Sequence, residues 1–514
     1  MLSTLIWLPL FGAAVVGFLP GTIAVSQFRL GAIAIASVLL VWTATLFTQF
    51  DVSTATMQMQ EYLPWIPTLG INYSLSVDGL SLPLVMLSNL LTFGVIYSAE
   101  SLVAQGQVMQ RPRLFYSLVF LINAGMAGAL TAQNLLMFFL FYELELVPFY
   151  LLIVIWGGAK REYAGMKFLI YTATSGILIL AAFLATVWLS GSGSFDYNAI
   201  STDDLPQRTQ LILLTLLLIG FGIKIPLIPL HTWLPDAYVE ASTPTAILLG
   251  GVLAKLGTYG LVPTHLVTPA LSWLAAICVI YGAMAAIAQK DIKRMVAYSS
   301  IGHMGYVMLG MAAFTPLSMV GAVSQMVSHG LILALLFYIV GVIEVKVGTR
   351  DLDVLNGLLN PIRGLPLTSS LLILAGMASA AIPGMVGFIA EFLVFQGSYT
   401  TFPLPTLLCV AGTGLTAVYF VILLNRTCFG RLDNKTAYYP RVTWKEQTPA
   451  LILTGLIVFL GIQPTWLVRW SETTTAALTA AAPINRQVGL NLPTIPQSGS
   501  LVGIAPSLND ADHR

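Results

Sequence analysis

The chain has 514 residues, of which 57% are hydrophobic and only 9% are charged, and its formal net charge is +1. A typical soluble domain has about 25% charged residues, so the composition excludes an ordinary soluble fold, and the small net charge gives no basis for nucleic-acid binding. The three cysteines, Cys278, Cys409 and Cys428, lie far apart without a C-x-x-C pair, which argues against a disulfide framework and against a zinc or iron–sulfur site.

Sequence patterns of the common nucleotide and redox sites do not occur either. The chain contains no G-x-G-x-x-G, Walker A or H-E-x-x-H pattern. We therefore expect that the chain itself performs no redox or nucleotide chemistry and binds neither a metal nor a cofactor.

Long apolar stretches dominate the sequence. Because a membrane-spanning helix needs about 20 apolar residues, we predict an all-α polytopic membrane protein with fourteen spans. The N-terminal stretch lacks a basic region and a small-residue cleavage site, so we interpret it as a retained span and not as a signal peptide. The predicted spans are residues 2–19, 30–49, 80–99, 114–132, 134–156, 164–189, 209–230, 244–263, 271–289, 295–312, 316–343, 368–396, 406–426 and 449–468.

Three segments are predicted to lie outside the membrane. Residues 50–79 end in alternating polar and apolar residues with an Asp78-Gly79 turn, which indicates a small hairpin. Residues 190–208 have the composition of an aqueous loop. The tail from Ser471 to Arg514 is rich in Thr, Ala, Pro and Asn and is interpreted as a surface arm or as a segment that a partner orders.

The distribution of basic residues predicts an orientation. Of the 23 Lys and Arg residues, seventeen fall at the loops after odd-numbered spans, and four fall in the other loops and the tail. Basic residues are concentrated on the cytoplasmic side of membrane proteins. Both termini are therefore predicted on the opposite side. The two remaining cations, Lys224 and Lys255, lie inside spans.

Two carboxylates, Glu143 and Glu145, lie in the fifth predicted span. Residues two apart point to nearly opposite sides of a helix, so the two cannot share one partner. We predict that Glu143 pairs with Lys224 and tunes its protonation. The alternative is a structural ion pair that holds two helices together.

Lys224 lies in the seventh span beside three prolines, Pro226, Pro229 and Pro235. Proline breaks a helix interior, and irregular backbone at membrane depth is tolerated where protein or a water-filled cavity covers it. A charge at that depth is costly and marks an ion or substrate path by default. Opening and closing of a Lys224–carboxylate pair would act as a protonation switch. The alternative is a lysine that extends to the nearby interface.

Lys255 lies near the middle of the eighth span. The small residues Gly250, Gly251 and Gly257 surround it, so neighbouring helices can pack closely. A lysine at mid-span reaches the interface less easily than one near a helix end. We therefore predict that Lys255 belongs to a proton relay.

The histidines differ in their expected roles. His329 lies in the eleventh span, four residues after Gln325, and a neutral histidine can pass a proton between its two nitrogens. His303 opens the tenth span, and His231 follows the break in the seventh. Both are further relay candidates, with a satisfied core histidine as the alternative for each. His265 is interpreted as a loop residue.

Glu391 follows Pro383 in the twelfth span and has no cation nearby in sequence. It is predicted to be the terminal group of a relay made of Glu143, Lys224, Lys255, His329 and Glu391. Every member can gain and lose a proton once its surroundings shift it, whereas an arginine stays charged. The absence of arginine from the span interiors favours proton movement over structural pairing.

The seventh and twelfth spans are each broken and each carry one charge, which indicates two repeats of five spans. Because successive spans cross the membrane in opposite directions, an offset of five gives the two repeats opposite orientations, so they are inverted. Four regions follow from this interpretation. They are residues 1–113 with spans one to three and the hairpin, 114–263 as the first repeat, 271–426 as the second repeat, and 427–514 with the last span and the tail.

Five segments together carry a resemblance to a known family. They are FYELELVPFYLLIVIWGG, GFGIKIPLIPLHTWLPDAYVEASTPTAILLGGVLAKLGTYG, MVAYSSIGHMGYV, QMVSHGLILALLFYIVG and IPGMVGFIAEF. They resemble the antiporter-like subunits of complex I and of the cyanobacterial and plastid NAD(P)H–quinone oxidoreductases (NDH-1), of the type designated chain 4. The resemblance covers about residues 70 to 430.

The resemblance implies an antiporter-like fold with fourteen helices, two inverted five-helix repeats, discontinuous helices and one proton pathway. The family's glutamate falls on Glu143, its lysines on Lys224 and Lys255, its histidine on His329 and its terminal glutamate on Glu391. Glu145 and the phrase ELELVP are similar to the cyanobacterial and plastid version, and Glu145 is a further relay candidate.

The resemblance also implies the setting of the chain. It would be an obligate subunit of a hetero-oligomeric, multi-pass complex in a thylakoid membrane, in contact with other NDH-1 membrane subunits and lipids. Plastoquinone, iron–sulfur clusters and the electron donor, ferredoxin or NAD(P)H, would be bound by other subunits. The paralogue is left open between respiratory or cyclic complexes and CO2-uptake complexes, and the N-terminal MLSTLIWLPLFGA is more similar to the latter.

Two other functions compete with a proton-translocating subunit. One is a free-standing cation/proton antiporter of the Mrp type. The other is a structural scaffold in which the buried charges lock helices together.

Overall fold

A computed structural model describes residues 1–18, 25–103, 109–202, 204–261, 268–432 and 438–481. In these residues nineteen α-helices and one two-stranded sheet form the fold. The helices are α1 (Ser3–Phe18), α2 (Val25–Gln49), α3 (Ser81–Val103), α4 (Pro112–Thr131), α5 (Leu135–Leu144), α6 (Leu146–Trp156), α7 (Arg161–Ser190), α8 (Gln207–Lys224), α9 (Trp233–Glu240), α10 (Thr243–Leu248), α11 (Ala254–Gly260), α12 (Thr268–Ile287), α13 (Ile292–Ala313), α14 (Pro316–Val347), α15 (Pro366–Ser379), α16 (Val386–Tyr399), α17 (Pro403–Thr427), α18 (Trp444–Ile462) and α19 (Thr465–Ala481).

The predicted helical class is confirmed. In the described part of the chain, nine helices are long and apolar enough to cross a membrane, with Leu135–Trp156 counted as one. Some of the remaining predicted spans correspond to shorter or interrupted helices, because prolines and glycines divide them. The number of fourteen crossings and the four predicted regions stay predictions.

The predicted hairpin is confirmed, but the predicted turn is wrong, and the position of the hairpin outside the membrane stays a prediction. Strands β1 (Gln58–Ile66) and β2 (Ile71–Val77) pair antiparallel, and the chain turns between them at Pro67–Leu69. Asp78 instead caps the start of α3, where its carboxylate accepts hydrogen bonds from the backbone N–H groups of Leu80 and Ser81 at 3.0 and 2.7 Å. A carboxylate satisfies free N–H groups at a helix start, which explains this placement.

The predicted surface arm is wrong for its first part. Helix α19 extends to Ala481, and its Ser471 and Thr475 are fully buried. The backbone N–H of Gly79 donates a hydrogen bond to the Thr474 hydroxyl at 3.2 Å. Threonine hydroxyls can satisfy themselves within a helix, so a polar composition does not prevent this helix from packing. The rest of the tail, residues 482–514, and His265 lie outside the described residues.

Helix α14 is the centre of the fold. It is 32 residues long, and its residues from Ser318 to Ile343 are buried among α3, α10, α13, α15, α16, α18 and α19. Glycines allow this packing at short range. A Cβ at Gly321 would lie 2.5 Å from the Val394 backbone nitrogen, and one at Gly397 would lie 2.3 Å from the Ser318 backbone nitrogen. Helix α16, which carries Glu391, is therefore held directly against α14.

Replacement of Gly321 with Val is expected to push α16 away from α14, because backbone atoms at 2.5 Å cannot rotate aside. Overpacking of this kind lowers the free energy of unfolding by about 1–3 kcal/mol. The midpoint of thermal unfolding of the purified protein measures it. Gly455→Val is the matched control, since a Cβ at Gly455 meets no atom within 4 Å. Equal midpoints for the two variants would contradict the packing described here.

Candidate functional site

The fifth predicted span is broken at one of its two carboxylates. Helix α5 ends at Leu144 and α6 begins at Leu146, so Glu145 is the residue between them. Pro148 has no N–H to donate to the Leu144 carbonyl, which accounts for the interruption. The break turns the Glu145 side chain into the protein, where it is 1% exposed.

Glu145 forms the ion pair that was predicted for Glu143. Its carboxylate oxygen Oε1 contacts the Lys224 Nζ directly, and both side chains are buried. Lys224 also donates a hydrogen bond to the Tyr142 carbonyl at 3.2 Å and lies 3.3 Å from the centre of the Tyr142 ring. The lysine thus has a carboxylate, a carbonyl and an aromatic face around it, each of which favours a cation.

The predicted pairing of Glu143 with Lys224 is therefore wrong. The Glu143 carboxylate lies against α7, where a Cβ on Gly176 would be 2.4 Å from its Oε1, and the side chain is only half-buried. Residues two apart point to different sides of a helix, as expected, but the break at Glu145 decides which one faces inward. The role of Glu143 in a relay stays a prediction.

The break after Lys224 is closed by side-chain and backbone hydrogen bonds. The Trp233 indole N–H donates to the Ile223 carbonyl at 2.8 Å, and the Leu227 N–H donates to the Gly222 carbonyl at 2.8 Å. These bonds satisfy carbonyls that the end of α8 leaves free. His231, in the same break, lies with its Nε2 3.1 Å from the Tyr281 hydroxyl.

Lys255 follows a π-helical segment, Leu249–Leu253, that sequence reasoning missed. Such segments occur often at functional sites, and the adjacent glycines Gly250 and Gly251 were the signal for it. The Lys255 Nζ donates to the Gly250 carbonyl at 2.6 Å and lies 2.9 Å from His329 Nδ1. Lysine and histidine thus meet directly, although they come from different predicted repeats.

His329 continues toward His303 and Glu391. The two imidazole rings have centroids 5.5 Å apart, and His303 Nδ1 lies 3.5 Å from Glu391 Oε1. His303 Nε2 lies 2.9 Å from the Ser379 hydroxyl, and Glu391 Oε2 accepts a hydrogen bond from Thr413 at 2.8 Å. His303, a lesser candidate in the sequence, therefore lies between the two main ones.

A small cavity of about 10 Å³ lies among these groups, with His303, His329 and Glu391 in its wall. In the described part of the chain, three buried atoms at this cavity have no hydrogen-bond partner: Gln325 Oε1, Ser328 Oγ and His329 Nε2. One water needs about this volume and two to four polar partners. The cavity has the volume and the polar lining that would let one water connect His329 with His303 and Glu391.

The first ion pair and this cluster lie on helices that pack together. A Cβ at Gly257 of α11 would lie 2.8 Å from the Ile225 side chain at the end of α8. Lys224 and Lys255 thus occupy adjoining elements, but the two clusters share no direct hydrogen bond in the described residues. The structure brings together Glu145 with Lys224, and Lys255 with His329, His303 and Glu391.

Lys293 lies between the ninth and tenth predicted spans and is one of the seventeen basic residues assigned to loops, but the structure places it in the first turn of α13. It is 3% exposed, and its Nζ donates to the Ala241 carbonyl at 2.6 Å, beyond the end of α9. Asp291 begins α13 by accepting from the N–H groups of Lys293 and Arg294, which turns Lys293 inward. Among the described residues, no group of three His, Cys, Asp or Glu side chains could hold a metal ion.

Comparison with known protein families gives a match over residues 132–416 to the family described as "NADH:quinone oxidoreductase/Mrp antiporter, TM". Two similar relatives are cyanobacterial proteins named NAD(P)H-quinone oxidoreductase chain 4. The one from Synechococcus sp. (strain JA-2-3B'a(2-13)) is 39% identical over 499 residues, which cover 93% of this chain and 92% of that relative. The one from Acaryochloris marina (strain MBIC 11017) is 37% identical over 503 residues, which cover 93% and 92%.

Two solved structures are similar in fold. A chain of respiratory complex I from Thermus thermophilus has a TM-score of 0.83 and 25% identity, with 93% of this chain and 99% of that chain covered. A chain of the Mrp complex from Dietzia sp. DQ12-45-1b also has a TM-score of 0.83, with 93% and 97% covered, but is 19% identical. The second likeness is one of fold alone.

The pairing of Lys224 with Glu145 predicts a large coupling between these two positions. Breaking a buried ion pair on one side costs about 3–5 kcal/mol, because the remaining charge loses its partner. Glu145→Gln and Lys224→Met are therefore each expected to lower the unfolding midpoint, and the double variant is expected to lower it less than the sum.

The same cycle with Glu143→Gln in place of Glu145→Gln is the matched control. It should show a clearly smaller coupling, because the direct ion-pair partner of Lys224 is Glu145. A coupling at Glu143 that equals the coupling at Glu145 would contradict the geometry.

Proposed function

Since the chain belongs to the NADH:quinone oxidoreductase/Mrp antiporter family, we propose that it is a proton-translocating membrane subunit of an NDH-1-type complex. In this proposal the complex couples electron transfer to plastoquinone with proton movement across a thylakoid membrane. The names of the cyanobacterial relatives and the fold of the complex I chain support the proposal.

One observation carries the proposal: a series of buried groups in a multi-pass membrane protein that can each gain and lose a proton. Lys255 can donate to His329 Nδ1 at 2.9 Å, and His329 can release a proton from Nε2. A water in the adjoining cavity would receive it and connect it to His303 and Glu391. In this proposal each step is a transfer between neighbouring buried groups, either directly or through that water.

The ion pair of Glu145 with Lys224 supplies the other part of the path. If Glu145 and Lys224 moved apart, each would be an unpaired charge in a buried site, which is costly. Transfer of a proton between them or to water would remove this cost. Glu143, half-buried on the other side of the same break, is the second carboxylate near this site. We propose that Glu143 and Glu145 both serve Lys224, with Glu145 as the direct partner.

The redox chemistry lies elsewhere in this proposal. Plastoquinone, the iron–sulfur clusters and the electron donor, ferredoxin or NAD(P)H, are bound by other subunits, and this chain moves protons in response. Many apolar side chains are exposed on the helices, among them Trp188 at 86% and Ile177 at 69%. Such surfaces fit contact with lipids and neighbouring membrane subunits. Both termini lie on the lumenal side by the distribution of basic residues.

Replacement of Lys224 with Ala is expected to abolish proton pumping, while the complexes that assemble still reduce quinone. Proton transfer by a positioned group contributes about 10²–10⁴-fold, so the residual rate should be at background. Pumping is followed with a pH-sensitive dye in proteoliposomes. Lys445→Ala, at an exposed position, is the control. Intact pumping in the Lys224 variant would reject the proposal.

Replacement of His329 with Phe is expected to stop pumping, because the ring has no nitrogen to accept from Lys255. His329→Gln should also stop pumping, since an amide still hydrogen-bonds Lys255 and a water but cannot take up a proton and release it. If the buried charges only lock helices together, these variants should instead reduce assembly of the complex and leave proton flux unchanged. A free-standing antiporter would instead show Na⁺-dependent pH changes in vesicles that contain the chain without quinone-reducing partners.

A further inference from the structure

A large open cavity lies between α1 and α4, and none of the relay candidates lines it. It is a groove with a volume of about 760 Å³, which is within the ~300–1,000 Å³ of small-molecule sites. Its walls are mainly apolar or small side chains, including Leu10, Ala13, Ala14, Gly17, Leu114 and Leu121.

The two helices run antiparallel along this groove. A Cβ at Gly17 would lie 3.1 Å from the Ser117 hydroxyl, and one at Gly12 would lie 3.5 Å from the Phe120 ring. From Leu10 to Phe18 a helix rises roughly 12 Å at 1.5 Å per residue. The hydrocarbon core is about 30 Å thick, so the groove extends over the depth of about one leaflet.

Two arginines stand at one end of the groove. Arg111 is exposed and Arg113 is half-buried, and both line the groove. Arg113 is held over the Phe28 ring, with its guanidinium carbon 5.0 Å from the ring centroid. No ion-pair partner of Arg111 lies among the described residues. The groove thus has an apolar body one leaflet long and a cationic end.

Phe18 marks the level of that end in the membrane. Its side chain is 90% exposed at the last residue of α1, beside Arg111 in the wall of the same groove. Aromatic and basic side chains concentrate where hydrocarbon meets headgroups. The two guanidinium groups therefore lie where the headgroup of a lipid would lie if its acyl chain occupied the groove.

We propose that this groove binds one anionic membrane lipid, with an acyl chain between α1 and α4 and its negatively charged headgroup against Arg111 and Arg113. The charge complementarity selects an anionic headgroup over a zwitterionic one, and arginine forms bidentate contacts with phosphate or sulfonate oxygens. The apolar walls select a diacyl lipid over a free anion, because a small anion would leave them in contact with water.

The test uses the full chain purified with its partner subunits and a phosphatidylglycerol that carries a photoactivatable diazirine in its acyl chain. Cross-linked peptides are mapped by mass spectrometry. Labelling of α1 and α4 is expected with this lipid and is expected to be weaker with the matched phosphatidylcholine. Each basic residue near a membrane surface contributes roughly a fivefold preference, so the two together give roughly twenty-five-fold.

Two variants separate the headgroup from the acyl chain. Arg111→Gln with Arg113→Gln should reduce the phosphatidylglycerol labelling to the level of phosphatidylcholine. Ala14→Phe, at an exposed position in the groove, should reduce labelling by both lipids.

The controls are Arg431→Gln with Arg441→Gln, two exposed arginines remote in sequence, and Val38→Phe on the exposed face of α2. Both should label as the wild type does. The proposal is overturned if the two lipids label equally in the wild type. It is also overturned if the arginine variant labels like the wild type, or if α1 and α4 are not labelled because a neighbouring subunit fills the groove.

Discussion

The constraint behind this structure is the cost of an ionisable group in a hydrocarbon environment. A charged side chain at membrane depth costs at least about 2.5–3.5 kcal/mol, and several occur here in one chain. The fold meets this cost locally, because Glu145 balances Lys224, and because a carbonyl and an imidazole receive Lys255. The contacts of Glu145 with Lys224 and of Lys255 with His329 each join two helices, so the same groups that could move protons also determine which helices pack together.

The interruptions of the helices follow from the same constraint. Glu145, Lys224 and Lys255 each lie at or directly beside a break or a π-helical segment, and Glu391 lies shortly after one. A continuous helix uses all of its interior carbonyls and N–H groups, whereas an interrupted one leaves some free to face a cation or a side chain. The Ile223 and Gly250 carbonyls accept hydrogen bonds in this way. Irregular backbone is tolerated there because protein covers it on all sides.

Hydropathy was sufficient to predict the helical class and the burial of Lys224 and Lys255, because both depend on local composition. It could not decide between Glu143 and Glu145, since a proline-induced break rotates the chain by an amount that composition does not encode. Nor could it place Lys293, whose partner is a carbonyl fifty-two positions away, or α19, whose buried face is lined by hydroxyl groups. The contact of His303 with Glu391 was missed because it depends on how α13 packs on α16. These features arise from tertiary packing.

The contact between Lys255 and His329 is where the two predicted repeats meet. Lys255 lies on an element of the first and His329 on α14, the buried centre of the second. The positive charge of Lys224 is neutralised by the Glu145 carboxylate, whereas Lys255 contacts a carbonyl and an imidazole. A proton on Lys255 would therefore add a positive charge that no carboxylate in contact with it neutralises. The nearest carboxylate in this cluster is Glu391, beyond both histidines. In the proposed relay, electrostatic attraction along the cluster would therefore be directed from the lysine toward the glutamate, across the boundary between the two predicted repeats.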